Sequence, residues 1–91
     1  MTTNYKRGYR CVVLARKHLQ ALGWEAVRTA GSHSPFDLVA WKPGRVLFVQ
    51  VKNRRLGGIA RREALEEMAN IPVPCELWER HECKWLVTCV A

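Results

Sequence analysis

Ser34-Pro35-Phe36-Asp37-Leu38-Val39-Ala40-Trp41, then Lys42-Pro43-Gly44, then Arg45-Val46-Leu47-Phe48-Val49-Gln50-Val51-Lys52. The two outer runs read as short apolar strands, and Pro-Gly between them is a turn signal: proline pre-sets the first central position and glycine accepts φ > 0. With Pro43 and Gly44 central, Lys42 pairs with Arg45, Trp41 with Val46, Val39 with Phe48 and Asp37 with Gln50. Opposed side chains share a face, and alternation adds Lys52 to it. Three polar residues in an apolar hairpin, Asp37, Gln50 and Lys52, are thus expected to converge. Both faces of these strands are apolar, so a cover is expected on each side, from helices or from a partner subunit.

Outward from the hairpin, residues 5–22 carry Val12, Ala15, Leu19 and Leu22 at helical spacing, with Gly23 placed to end the helix. A strand is expected over 24–29 and a polar loop over 30–34. Beyond the hairpin, residues 53–58 read as a basic, glycine-containing loop and 59–70 as a second helix, with Ala60, Ala64, Leu65 and Met68 on its apolar side. Pro72 and Pro74 end it, and strands over 74–79 and 84–90 follow, joined by a turn around 80–83. This order predicts an α/β fold: a single mixed β-sheet of about five strands flanked by helices.

The chain has 91 residues, enough for one domain over 1–91. Fifteen Lys and Arg against eight Asp and Glu give a formal charge of +7, which favours a polyanion, nucleic acid first. No apolar run is long enough to span a bilayer, no lipidation signal is present and the start is polar, so no membrane partner is expected and the protein is read as intracellular. Its four cysteines are then expected as reduced thiols in or near the core. The spacing of Cys75, His81, Cys83 and Cys89 matches no zinc pattern, and no small-molecule cofactor is expected.

Taken singly, the three polar residues have ordinary structural readings: a snorkelling lysine, an aspartate in turn chemistry, a buried amide. Together, in a cationic chain, they suit metal-assisted phosphodiester hydrolysis. Magnesium takes oxygen ligands. Asp37 offers a carboxylate, Gln50 its amide oxygen and Val51 its backbone carbonyl, while Lys52 could orient water or steady developing charge. Lys6, Arg7, Arg10, Arg54 and Arg55 are the basic residues that would hold a DNA backbone.

Pro35-Phe36-Asp37 followed by Gln50-Val51-Lys52 resembles the PD-(D/E)XK nuclease superfamily with its restriction-endonuclease-like core. Arg7-Gly8, the segment from Ala26 to Ser32, and the Asp-Leu-Val-Ala and Val-Gln-Val-Lys strands are similar to the archaeal and phage-type Holliday junction resolvases. The resemblance implies a homodimeric, Mg2+-dependent endonuclease, with Mn2+ as a substitute, that makes paired nicks in branched double-stranded DNA. It implies DNA contacts at Arg28, Ser32 and Ser34. Two family carboxylates are missing, replaced by Val12 and Gln50, which implies weaker magnesium binding and one metal instead of two. A nuclease acting on flaps or duplex DNA, and a binding module without catalysis, are the competing functions.

Overall fold

The computed structural model describes residues 4–29 and 34–90. Seven elements follow in the expected order: α1 (Asn4–Ala21), β1 (Glu25–Arg28), β2 (Leu38–Lys42), β3 (Arg45–Lys52), α2 (Gly58–Glu67), β4 (Cys75–His81) and β5 (Lys84–Cys89). The strands make one sheet in the order β1-β2-β3-β4-β5. All neighbours are antiparallel except β3 and β4, which run parallel because α2 carries the chain back between them.

The hairpin register is the expected one from Lys42↔Arg45 to Leu38↔Val49. Gly44 takes φ 74°, a conformation that only glycine adopts without strain. α1 closes on a Schellman pattern: Gly23 at φ 92° donates to the Gln20 carbonyl and Trp24 to that of Leu19, both at 3.0 Å. Leu22 therefore falls past the helix and is 55% exposed, although the helical spacing had placed it on the apolar face.

Alternation along β3 sorts the core into two. Leu47, Val49 and Val51 pack with Cys11, Ala15, Leu19, Leu38, Ala40 and Trp78 on the α1 side. On the α2 side, Ala64 and Met68 close over Leu56, Cys75 and Leu77, with Phe36 and Phe48 stacked at 4.3 Å beside them. Helices thus supply both covers. Cys11 and Cys75 are core thiols as expected, whereas Cys83 and Cys89 are exposed; all four are unbridged. No described helix is long and apolar enough to cross a membrane.

β4 runs two residues further than expected, because Glu82 and Cys83 make a tight turn with φ 48° and 63°. The extension brings fully buried Glu79 inside the strand, directly opposite Lys52. Its carboxylate accepts the Leu56 N–H at 2.6 Å and a two-pronged Arg61 guanidinium at 2.8 and 3.0 Å. Arg61 also donates to the Leu56 carbonyl at 2.9 Å. This knot ties the loop after β3 and the first turns of α2 to β4. Burial pushes the Glu79 carboxyl up, but the Arg61 and Leu56 hydrogen bonds and the charges of Arg61 and Arg55 outweigh it and leave it below its ordinary range.

A depressed carboxylate stabilises the fold above its unfolded pKa, and that contribution disappears as pH falls through the folded value. Glu79→Leu leaves the Leu56 N–H buried and unpaired, costing roughly 1–3 kcal/mol from that group alone. At about 4–8 °C per kcal/mol for a domain of this size, the melting temperature at pH 7 is expected to drop by at least several degrees. The gap from the parent should narrow in acid; thermal unfolding followed by circular dichroism between pH 3 and 7 measures both.

Candidate active site

Asp37 sits just before β2, where the ladder slips. The pairs of the hairpin, continued one step, would set it opposite Gln50. Instead its N–H donates to the Val49 carbonyl at 2.8 Å, so Asp37 and Leu38 both lie against Val49 in the manner of a β-bulge. Its own carbonyl accepts the Thr29 N–H at 3.0 Å, which continues the β1 ladder. The bulge re-aims the side chain. Oδ2 accepts the backbone N–H of Val51 at 2.8 Å, and Asp37 lines a cleft with Gly8, Tyr9, Val12, Arg28, Thr29 and Val51.

The expectation that Asp37, Gln50 and Lys52 share one face through direct opposition is therefore corrected. Gln50 lies under α2, where Nε2 donates to Glu67 Oε2 at 3.4 Å. Its Oε1 is buried without a hydrogen-bond partner. Lys52, on the same side of β3, is half-buried, and its charge reaches the Asp37 carboxylate. The slip puts Asp37 beside Val51 and brings it within the influence of Lys52, while Gln50 approaches the same point of β3 from the other side.

Burial raises the Asp37 carboxyl above the ordinary aspartate range; the Val51 N–H and the Lys52 ammonium offset this in part. The Cys11 thiol is also pushed up by burial. It donates to the Lys52 carbonyl at 3.8 Å and is a packing group rather than a nucleophile.

The remaining sequence candidates spread around this cleft. Arg28 lines it and stacks over the Tyr9 ring at 4.7 Å. Ser34 Oγ donates to the Phe36 carbonyl at 3.2 Å, next to the bulge. Arg7 and Arg10 lie on α1, facing a neighbouring cleft with Arg80 and Asn53. Lys6 is exposed beside Tyr9 and Arg10. Arg54 and Arg55 are exposed in the loop after β3, and Arg55 also lines a cleft with His81, Lys84 and Trp85. Ser32 lies outside the described residues. Sequence reading missed Glu67, Asn53 and Arg80. The strand period of β4 would have flagged Arg80 had the strand not been ended at residue 79.

As a seat for a hard divalent cation, the donors fit in kind. Asp37 provides a carboxylate, and the unpartnered Gln50 Oε1 is a buried oxygen that lacks a positive group to satisfy it. Among the described residues no cluster of three His, Cys, Asp or Glu side chains exists, and Asp37 is the one carboxylate among the residues that line the cleft.

No protein-family model matches the sequence, and no curated protein matches it. Among solved structures the fold is similar to Hjc, a Holliday junction resolvase from the archaeal hyperthermophile Archaeoglobus fulgidus. The TM-score is 0.69 at 21% identity, over 92% of this chain and 73% of that one. The architecture is thus a resolvase-like α/β fold, with a single mixed five-stranded sheet between two helices.

An acid whose pKa is raised by folding opposes folding once it ionises. Asp37→Asn keeps an oxygen acceptor for the Val51 N–H and removes the buried charge. It is expected to unfold at a temperature equal to or above the parent's at pH 7. The advantage should vanish as pH falls below the unfolded aspartate value, about 3.9. Parallel thermal melts from pH 3 to 8 check both statements.

Proposed function

We propose that this chain is a divalent-metal-dependent endonuclease that resolves four-way DNA junctions by paired nicks, working as a homodimer. The observation that carries the reading is the half-buried Asp37 carboxylate, aimed by a bulge into a cleft with Arg28 and within reach of Lys52, on a fold like that of Hjc. Hydrolysis adds a water oxygen to phosphorus and releases one sugar oxygen as a hydroxyl. In this cleft Arg28 would hold a phosphate oxygen by charge-assisted hydrogen bonds, and Lys52 would offset charge gathering on the phosphoryl group. Asp37 would orient the group that loses a proton.

Mg2+, with Mn2+ as a substitute, would be held by Asp37 and the Val51 carbonyl, and by Gln50 Oε1 only after its side chain turns from the α2 side, where its amide now contacts Glu67. When bound it supplies Lewis-acid polarisation of the phosphate and lowers the pKa of water. The lack of a partner for Gln50 Oε1 supports such a turn. The competing reading, a module that binds branched DNA without cutting it, draws on the single carboxylate and on Gln50 lying under α2.

Incubation of a labelled four-way junction with protein and 10 mM Mg2+ or Mn2+ decides between them. The nuclease reading expects nicks in two strands from the parent. It expects losses of about a hundredfold or more for Asp37→Asn and Lys52→Ala, the scale set by removing one preorganised charge. Binding without nicks at any metal concentration would leave the module.

A second test reads the ion without activity. Gln50→Glu sets a carboxylate against Glu67 Oε2, which the amide now contacts at 3.4 Å. In chelator this variant is expected to melt below the parent. Mg2+ should restore it, with a larger thermal shift than the parent shows. Equal shifts for both would remove Gln50 from the ligand set.

A further inference from the structure

Asp37 does not face the other group of cations that α1 carries. That lies one step round α1. Arg7, Arg10, Cys11 and Leu14 form one wall of a separate cleft of about 210 Å³, and Asn53 and Arg80 form the other. Topology explains the meeting. β3 and β4 are parallel with Val51↔Trp78, and both residues point into the α1-side core. Two positions further along β4, alternation sets Arg80 on that same face, and Asn53, just past the end of β3, lines the same cleft. There they lie under the N-terminal half of α1, which delivers Arg7 and Arg10 three residues apart.

Arg80 is held in place. It is half-buried, and its guanidinium lies 4.8 Å from the centre of the Trp85 ring, opposite it across the β4–β5 ladder. No carboxylate lines the cleft, and neither Arg10 nor Arg80 makes an ion pair among the described residues. The guanidiniums of Arg10 and Arg80 beside one small opening repel one another, and no described carboxylate pairs with either. Cys11 separates this cleft from the Asp37 carboxylate: it feels the positive charge of Arg80 and the negative charge of Asp37. The two clefts therefore share one wall, the first three turns of α1.

We propose that Arg7, Arg10, Asn53 and Arg80 form a phosphate-binding subsite for a nucleic-acid strand, beside the hydrolytic cleft and distinct from it. The inference rests on the nuclease reading only for the identity of its ligand as a phosphodiester. The planar fork of Arg80, fixed on Trp85, and the Asn53 amide supply directed donors; Arg7 and Arg10 supply charge from the helix. A strand lying across α1 would place one phosphate at Asp37 and another of its phosphates here. Such a subsite fixes position and adds affinity without reading sequence.

The test is equilibrium binding of a fluorescent four-way junction and of a plain duplex, in EDTA, from 50 to 300 mM salt. Parent, Arg80→Gln, Arg80→Lys and the control Arg62→Gln, on the outer surface of α2, are compared. Removal of one phosphate contact is expected to flatten the slope of log K against log salt by about 0.9. Affinity should fall about tenfold or more on both DNAs alike. Arg80→Lys should restore the slope and part of the affinity, because the charge returns without the fork; Arg62→Gln should change neither. Restoration by lysine separates a lost phosphate contact from a damaged fold, and Arg10→Gln supplies a second reading of the same cleft from an exposed helix position.

If parent, Arg80→Gln and Arg10→Gln share one slope and one affinity, the subsite is overturned while the nuclease reading stands. If the parent binds neither DNA, both fall. If the parent binds without cutting and Arg80→Gln flattens the slope, the subsite stands and the nuclease does not.

Discussion

Burial of β3 on both faces is the constraint behind this fold. Leu47, Val49 and Val51 press against α1, and Gln50 lies against α2. A strand covered twice must satisfy its backbone on both edges, so β2 pairs on one side and β4 on the other. The parallel pairing with β4 demands a crossover, and α2 is that crossover. The Glu79–Arg61–Leu56 knot fixes where the crossover starts. One buried carboxylate thus sets the position of the helix that covers Gln50, at a distance from the cleft where Asp37 lies.

The site collects the departures from good folding. Asp37 leaves the regular ladder, and burial works against its charge. Gln50 Oε1 is buried without a hydrogen-bond partner. A sequence optimised for stability alone would carry asparagine at 37 and an apolar residue at 50. Packing alone does not account for the buried Gln50 oxygen or for a bulge that turns Asp37 into a cleft.

The hairpin was legible because its signals are local and agree. Pro43-Gly44 fixed the turn, and period-two alternation then fixed every pair out to Leu38↔Val49. The same local logic failed at the next residue. A bulge adds one residue to one strand, and no residue type at 36 or 37 announces it, so a strict period of two misplaced Asp37 by one step. The β4–β5 turn was obscure for a related reason. Glu82 and Cys83 adopt positive φ, where glycine or asparagine would have been the signal. Ending β4 at Glu79 hid the face of Arg80. Which polar residues carried chemistry was readable from type and spacing; which side of the sheet they meet on depended on hydrogen bonds that composition does not encode.

Charge distribution adds a consequence that the net +7 conceals. The excess is uneven among the described residues. α2 offsets Arg61 and Arg62 with Glu63, Glu66 and Glu67, and Arg61 is further consumed by Glu79. α1 carries Lys6, Arg7, Arg10, Arg16 and Lys17 with no acidic residue between Asn4 and Ala21. Its N-terminal half therefore lends positive potential to the Asp37 cleft and to the arginine cleft at once. Field lines from a helix of one sign, beside low-dielectric walls, concentrate a polyanion where the single carboxylate stands. A lone Asp37 would repel a phosphate; among these cations it does not have to. Val12, in the wall of the Asp37 cleft, adds no negative charge to it, so the positive potential of α1 reaches that cleft undiminished.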